Sequence, residues 1–126
     1  ATPLRVIASK DLVLELTVPG EPVPKARVRV TRRGTYTPRK TLLHESQIEI
    51  LARQIVKVPV RGDLCLDVDF FLGNHRRVDW DNLAKTVADA LNGIIWDDDS
   101  QIVQAYIGKW VDKENPRTEL RVWRVA

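Results

Sequence analysis

The chain has 126 residues, 44% of them hydrophobic and 29% charged, the make-up of one ordinary globular domain with no room for a second core. No apolar run exceeds three residues, far short of the ~20 that a membrane span needs, and residues 1–11 hold no signal-peptide core. Cys65 stands alone and can neither close an intramolecular disulfide nor complete a cysteine-based zinc site, so a cytoplasmic protein is expected and no membrane partner. The net charge of +3 is small, and its distribution says more than its sum.

Residues 12–18 read as a strand that stops at Pro19-Gly20, and Pro22 and Pro24 keep the following chain extended. Residues 25–30 alternate basic and small apolar side chains, as an edge strand or extended arm would, before a turn at Arg33-Gly34. Thr37-Pro38 predicts a helix cap with proline in the first position, and Leu42 or Leu43, Ile48, Leu51 and Ile55 supply a helical stripe over residues 39–56. Over residues 64–72 apolar side chains alternate with Cys65, Asp67, Asp69 and Phe71, which predicts a half-buried strand with both aspartates in solvent. A loop at 73–78 leads to a second helix, marked by Leu83, Val87, Ala90, Leu91 and Ile94, with Asp81 as its cap and Gly93 as its stop. Strands at 101–111 and 118–125, joined by a turn at Asn115-Pro116, complete the chain. The expected fold is a single α+β domain over residues 1–126, a small mixed sheet packed by two main helices, with residues 1–11 a candidate flexible N-terminal extension.

Charge is segregated along this order. From Pro22 to His44 there are seven cations, Lys25, Arg27, Arg29, Arg32, Arg33, Arg39 and Lys40, and no acid. From Asp79 to Asp99 six aspartates face one lysine, Lys85, for a charge of −5. Such a pairing suits a metal-dependent phosphodiester chemistry, with cations for a nucleic-acid backbone and carboxylates for a hard cation. Solvated surface is the commoner reading of charge clusters, so spacing has to decide between them.

Asp79 and Asp81 flank Trp80 where the loop enters the second helix, a place where two carboxylates can converge on a hard divalent ion that also takes waters and phosphate oxygens. Asp97-Asp98-Asp99 can join them only if the fold brings the far end of that helix back to its start. Asp81, Lys85 and Asp89 share one helix face at i, i+4 and i+8. They form either a surface ion-pair ladder or, with Lys85 over a metal site, a cation that stabilises charge on a cleaved phosphate or protonates the leaving oxygen.

The run Arg77-Val78-Asp79-Trp80-Asp81-Asn82-Leu83-Ala84-Lys85, followed by Asp89-Ala90-Leu91 and Asp98-Asp99-Ser100-Gln101, resembles the signature of RusA-like Holliday junction resolvases. Gly20-Glu21-Pro22-Val23-Pro24-Lys25-Ala26-Arg27-Val28-Arg29 and Tyr36-Thr37-Pro38 are similar to that family's opening, so the resemblance runs from Leu12 to Trp123. It implies that Asp79, Asp81 and Asp99 are metal-binding catalytic carboxylates, that Asp98 is a further metal ligand, and that Lys85 is the catalytic lysine. Asp97 is an additional aspartate which the pattern does not require. The resemblance also implies Mg²⁺ with Mn²⁺ as a substitute, no small-molecule cofactor, and a homodimer. The implied reaction is paired symmetric incision of four-way junctions, leaving 5′-phosphates and 3′-hydroxyls in DNA recombination and repair. Lys25, Arg27, Arg29, Arg76 and Arg77 are the expected phosphate contacts, and Lys109 falls where the family carries a lysine after the DDxQ strand. The alternatives are a nuclease of the same fold acting on flaps or forks, and a non-catalytic junction-binding module.

Trp96 and Trp123 are expected in the core, and Trp80 beneath the metal site. His44 and His75 have no partner pattern for zinc or for general-base chemistry.

Overall fold

The structure, a computed structural model, describes residues 9–26 and 29–125. Its elements run β1 (Ser9–Pro19), β2 (Arg29–Thr31), β3 (Gly34–Tyr36), α1 (Arg39–Arg53), β4 (Leu64–Leu72), α2 (Trp80–Leu91), a 3-10 turn (Asp99–Gln101), β5 (Ile102–Val111) and β6 (Arg117–Val125). Four strands form one sheet in the order β1-β6-β4-β5, and β2 and β3 form a separate hairpin. Within the four-stranded sheet the β4–β5 pairing is parallel, and β1–β6 and β4–β6 are antiparallel. A parallel step needs a crossover, and α2 supplies it. The result is the expected α+β domain, a mixed sheet with two helices. Of the expected extension, Ser9–Asp11 belong to β1, and residues 1–8 lie outside the described residues. Among the described residues no helix is long and apolar enough to cross a membrane.

Both helices cover one face of the sheet. Leu14, Leu16 and Val18 of β1, Val68 and Phe70 of β4, and Leu120 and Val122 of β6 meet Ile48 and Ala52 of α1 and Leu83, Val87 and Leu91 of α2, with Trp96 at the edge of the same core. The stripe expected on α2 is thus the buried one. The stripe expected on α1 is buried only in its middle, at Ile48, with Leu51 packed against the core. The inward face of α1 is Thr41, His44, Ile48 and Ala52, whereas Leu42, Leu43 and Ile55 are about half exposed. Two polar residues on the inner face hid its full extent. Pro38 caps α1 from outside, its carbonyl accepting from the Thr41 and Leu42 amides at 3.1 and 3.2 Å, and the helix ends at Arg53.

Burial, together with the nearby Lys40 charge, pushes the His44 imidazole below its ordinary pKa. The unfolded chain therefore takes up a proton at His44 more readily than the folded one, so stability rises with pH and falls as pH drops below about 6.5 through the lowered value. Replacing His44 with Gln is expected to flatten the melting-temperature profile between neutral and mildly acidic pH, as thermal melts in a pH series would show.

β4 differs from the expectation of a half-buried strand, for all nine of its residues are buried. Asp67 and Asp69 are 4% and 0% exposed, not in solvent. Arg121, opposite Asp67 on β6, donates from Nε to Asp67 at 3.0 Å and from Nη2 to Asp69 at 2.8 Å. Trp110 of β5 donates its indole N–H to Asp69 Oδ1 at 2.8 Å, and the Arg117 guanidinium lies 3.9 Å from the Phe71 ring centre. The central position of β4 is the cause: side chains from β5 and β6 close over its second face. Arg121→Ala removes the cation from both buried carboxylates, and a loss of about 3–5 kcal/mol is expected in urea unfolding.

Candidate functional site

The loop from β4 to α2 is tied on two sides. Glu21 accepts the Gly73 amide through both carboxylate oxygens, at 3.2 and 2.9 Å, and a Cβ on Gly73 would stand 3.2 Å from Glu21 Oε2 and from Pro116 Cγ, so a larger residue would have to push these side chains aside. Arg76 Nη2 donates to the Pro22 carbonyl at 2.8 Å and lies 3.4 Å from Glu21 Oε1. From the other side, Lys109 Nζ donates to the Val78 carbonyl at 2.6 Å. The residue after Val78 is Asp79, whose position these bonds hold.

α2 begins two residues earlier than expected, at Trp80, so Asp79 and not Asp81 stands at the cap position, and Asp81 falls in the first turn. Asp79 makes no side-chain cap bond, and Asp81 uses one oxygen, Oδ1, to accept the Asn82 amide at 3.0 Å. Both side chains are exposed at the positive end of the helix. Lys85 follows one turn later, exposed and without an ion pair among the described residues. Of the two alternatives for Asp81, Lys85 and Asp89, the ion-pair ladder does not form among the described residues, and Asp89 pairs with Lys25 at 3.1 Å. Two carboxylates with open oxygens beside an uncompensated cation fit a hard divalent ion, which takes one or two protein carboxylates, waters and substrate phosphate oxygens.

Asp97, Asp98 and Asp99 do not reach this pair within the chain. Among the described residues no three His, Cys, Asp or Glu side chains converge on a metal position. Topology explains it: α2 returns from the carboxyl ends of β4 and β5 to their amino ends, and its 12 residues separate the two acidic groups by about 18 Å of helix. Asp99 is nevertheless held firmly. The buried Trp96 donates its indole N–H to Asp99 Oδ1 at 2.8 Å. Gln101 clamps the turn, its Oε1 accepting the Asp97 and Asp98 amides at 2.8 and 3.1 Å and its Nε2 donating to the Val60 and Gly62 carbonyls at 2.9 Å each. Asp98 Oδ1 accepts the Ser100 amide at 3.1 Å.

The expected phosphate contacts divide. Lys25 is neutralised by Glu45 at 2.6 Å and Asp89 at 3.1 Å; burial opposes its charge, but the hydrogen bonds to these carboxylates outweigh that and hold its pKa above the ordinary value. Arg76 is committed to the loop, Lys109 keeps two N–H donors beyond Val78, and Arg77 is exposed. Arg27 and the Arg29 side chain lie outside the described residues. Trp80 is 56% exposed and lines a shallow surface cleft with Ala105 and Ile107 of β5, so it is not buried beneath the carboxylates. Glu21, Trp96 and Gln101 escaped the sequence reading as positioning residues. For Gln101 the DDxQ spacing was the available signal.

The profile of Endodeoxyribonuclease RusA matches residues 19–123, a span that contains the acidic loop, Lys85 and the clamped turn. The chain belongs to the RusA endodeoxyribonuclease family. The chain is also similar to the "Uncharacterized protein YqaN" of Bacillus subtilis (strain 168), at 27% identity over 139 residues, covering 90% of this chain and 97% of that protein. RusA membership carries the activity class, cleavage within DNA strands, and the family's branched-junction substrates. In this RusA chain the matched span starts at Pro19, where β1 ends, so it opens with the segment that anchors the acidic loop.

Proposed function

We propose that this protein is a Mg²⁺-dependent Holliday junction resolvase that acts as a homodimer in DNA recombination and repair, with Asp79, Asp81, Lys85 and Asp99 as its catalytic residues. The observation that carries this reading is the pair of open carboxylates at the start of α2 with the uncompensated Lys85 one turn away. Asp79 and Asp81 would hold the ion against the scissile phosphate. When bound, the ion supplies Lewis acidity and an activated water. Lys85 stabilises the charge that grows on the cleaved phosphate, or gives a proton to the leaving 3′-oxygen. Arg77, Lys109 and the basic hairpin bind flanking phosphates and orient the strand, an affinity that falls steeply with salt.

Resolution requires two symmetry-related strands to be cut, and a two-fold dimer presents two identical sites. The separation of Asp99 from Asp79 along α2 supports a further arrangement, in which Asp79 and Asp81 are joined by the partner's Asp99, with Asp98 beside it as a further ligand. The dimer would then be needed for the ion as well as for symmetry.

Cleavage of an end-labelled mobile four-way junction, with Mg²⁺ and with EDTA, beside a linear duplex of the same sequence, tests the reading. Symmetric, Mg²⁺-dependent nicks on the junction are expected, with 5′-phosphate and 3′-hydroxyl ends. Equal cleavage of flaps, forks and four-way junctions would replace it with a general branched-DNA nuclease, and tight binding without cleavage would leave a binding module.

A further inference from the structure

A second feature lies outside the carboxyl ends of the parallel strands β4 and β5, its lining reaching Arg76, three residues before Asp79. It is a cleft of about 310 Å³ whose wall includes Asn74, His75, Arg76, Lys109 and Trp110, within the size range of ligand clefts. We infer that this cleft receives one unpaired or unstacked nucleotide at the branch point of the DNA, its base against Trp110 and its phosphate on Lys109 and His75. The inference rests on the proposed branched-DNA reading and deepens it.

Trp110 is 36% exposed, yet its ring is not free to turn. Its N–H is held at 2.8 Å by Asp69, which is fully buried and is itself held at 2.8 Å by Arg121. The buried carboxylates of β4 thereby fix an aromatic wall at the mouth of the cleft, and a ring already ordered loses little freedom when a base stacks on it. The polar rim is suited to a phosphate. Lys109 spends one N–H on Val78 and keeps two. His75 is exposed without a partner among the described residues, and Asn74 uses only its Oδ1, toward the Arg76 amide at 3.0 Å, leaving its amide donors. The Arg76 guanidinium, held by Glu21 and the Pro22 carbonyl, forms a fixed part of the cleft wall. A paired, stacked base offers no face to such a wall, whereas a branch point does. The bond from Lys109 to Val78 joins the cleft to the loop that carries Asp79, so a nucleotide seated there would set which phosphate lies over the carboxylates.

The test is binding, read by fluorescence anisotropy with Ca²⁺ in place of Mg²⁺, of a four-way junction and a linear duplex of the same sequence. Trp110→Ala is expected to weaken junction binding about ten-fold while duplex binding stays unchanged, and Trp110→Phe to lose clearly less, because it keeps a ring for stacking though not the N–H that Asp69 holds. Trp110→Ala binding the junction like wild type, or losing junction and duplex equally, overturns the inference. Since Trp110→Ala also removes the bond to Asp69, a thermal melt accompanies it. Should that variant fail to fold, His75→Glu places a carboxylate at the rim without touching Asp69 and must give the same selective loss, or the cleft is not a nucleotide site. A wild type that shows no preference for the junction overturns the branched-DNA reading and this inference together. A wild type that prefers the junction, beside a Trp110→Ala variant that still does, overturns this inference alone.

Discussion

Asp81→Asn is expected to reduce junction cleavage by at least about 10²-fold, the scale on which loss of one transition-state charge stabiliser acts, while junction affinity stays close to wild type. The substitution keeps the shape of the side chain and its acceptor for the Asn82 amide, so α2 should begin where it does now. It removes the negative charge from one of the two open carboxylates, and a hard cation binds a neutral amide oxygen much more weakly than a carboxylate. No phosphate contact is lost, and removing one acidic charge near the DNA can only favour binding. Gel-shift titration beside the cleavage assay separates the two effects. Unchanged cleavage would show that Asp81 is not a ligand, and a parallel loss of binding would show that it has another role.

The second large effect is a restoration. Asp81→Asn and Asp99→Asn are each expected to be inactive as homodimers, yet a mixture of the two, unfolded and refolded together to exchange chains, is expected to nick the junction. If each site combines Asp79 and Asp81 of one chain with the partner's Asp99, a mixed dimer carries both defects in one site and none in the other. Equal amounts then give about half of the dimers one intact site each by random pairing of a two-fold assembly, and the product is a junction nicked on one strand. If all three carboxylates came from one chain, each site of the mixed dimer would hold one defect, and the mixture would be as inactive as its components. The prediction rests on the opposite placement of Asp79 and Asp99 along α2, since no converging triad exists within the described residues of one chain.

Much of the frame was legible in the chain itself. The α2 stripe of Leu83, Val87 and Leu91 is the buried face, because apolar side chains at helical spacing with charged residues opposite leave only one way to pack. The alternation over residues 64–72 marked a strand, and the loop that delivers Asp79 to a helix start was visible as well. On α1 the expected stripe meets the core at Ile48 and Leu51, but the polar Thr41 and His44 complete the buried face, and Leu42, Leu43 and Ile55 lie off it. The fates of Asp67 and Asp69 were unreadable, because alternation tells which face a residue points to and not what covers that face. Arg121 and Trp110, more than 40 residues away in sequence, make that face an interior.

The candidate site divides in the same way. Residue type and local spacing determined that two carboxylates, a tryptophan and a lysine stand on the first turns of one helix, and that an aspartate triplet precedes a strand. Those are short-range properties, set by backbone geometry within a few residues. Which cations are spent internally, as Lys25 is on Glu45 and Asp89, was decided by tertiary structure, and so was the direction in which α2 crosses between β4 and β5. That crossing holds Asp99 at the opposite end of the helix from Asp79, because a helix joining two parallel strands must run back from their carboxyl ends to their amino ends.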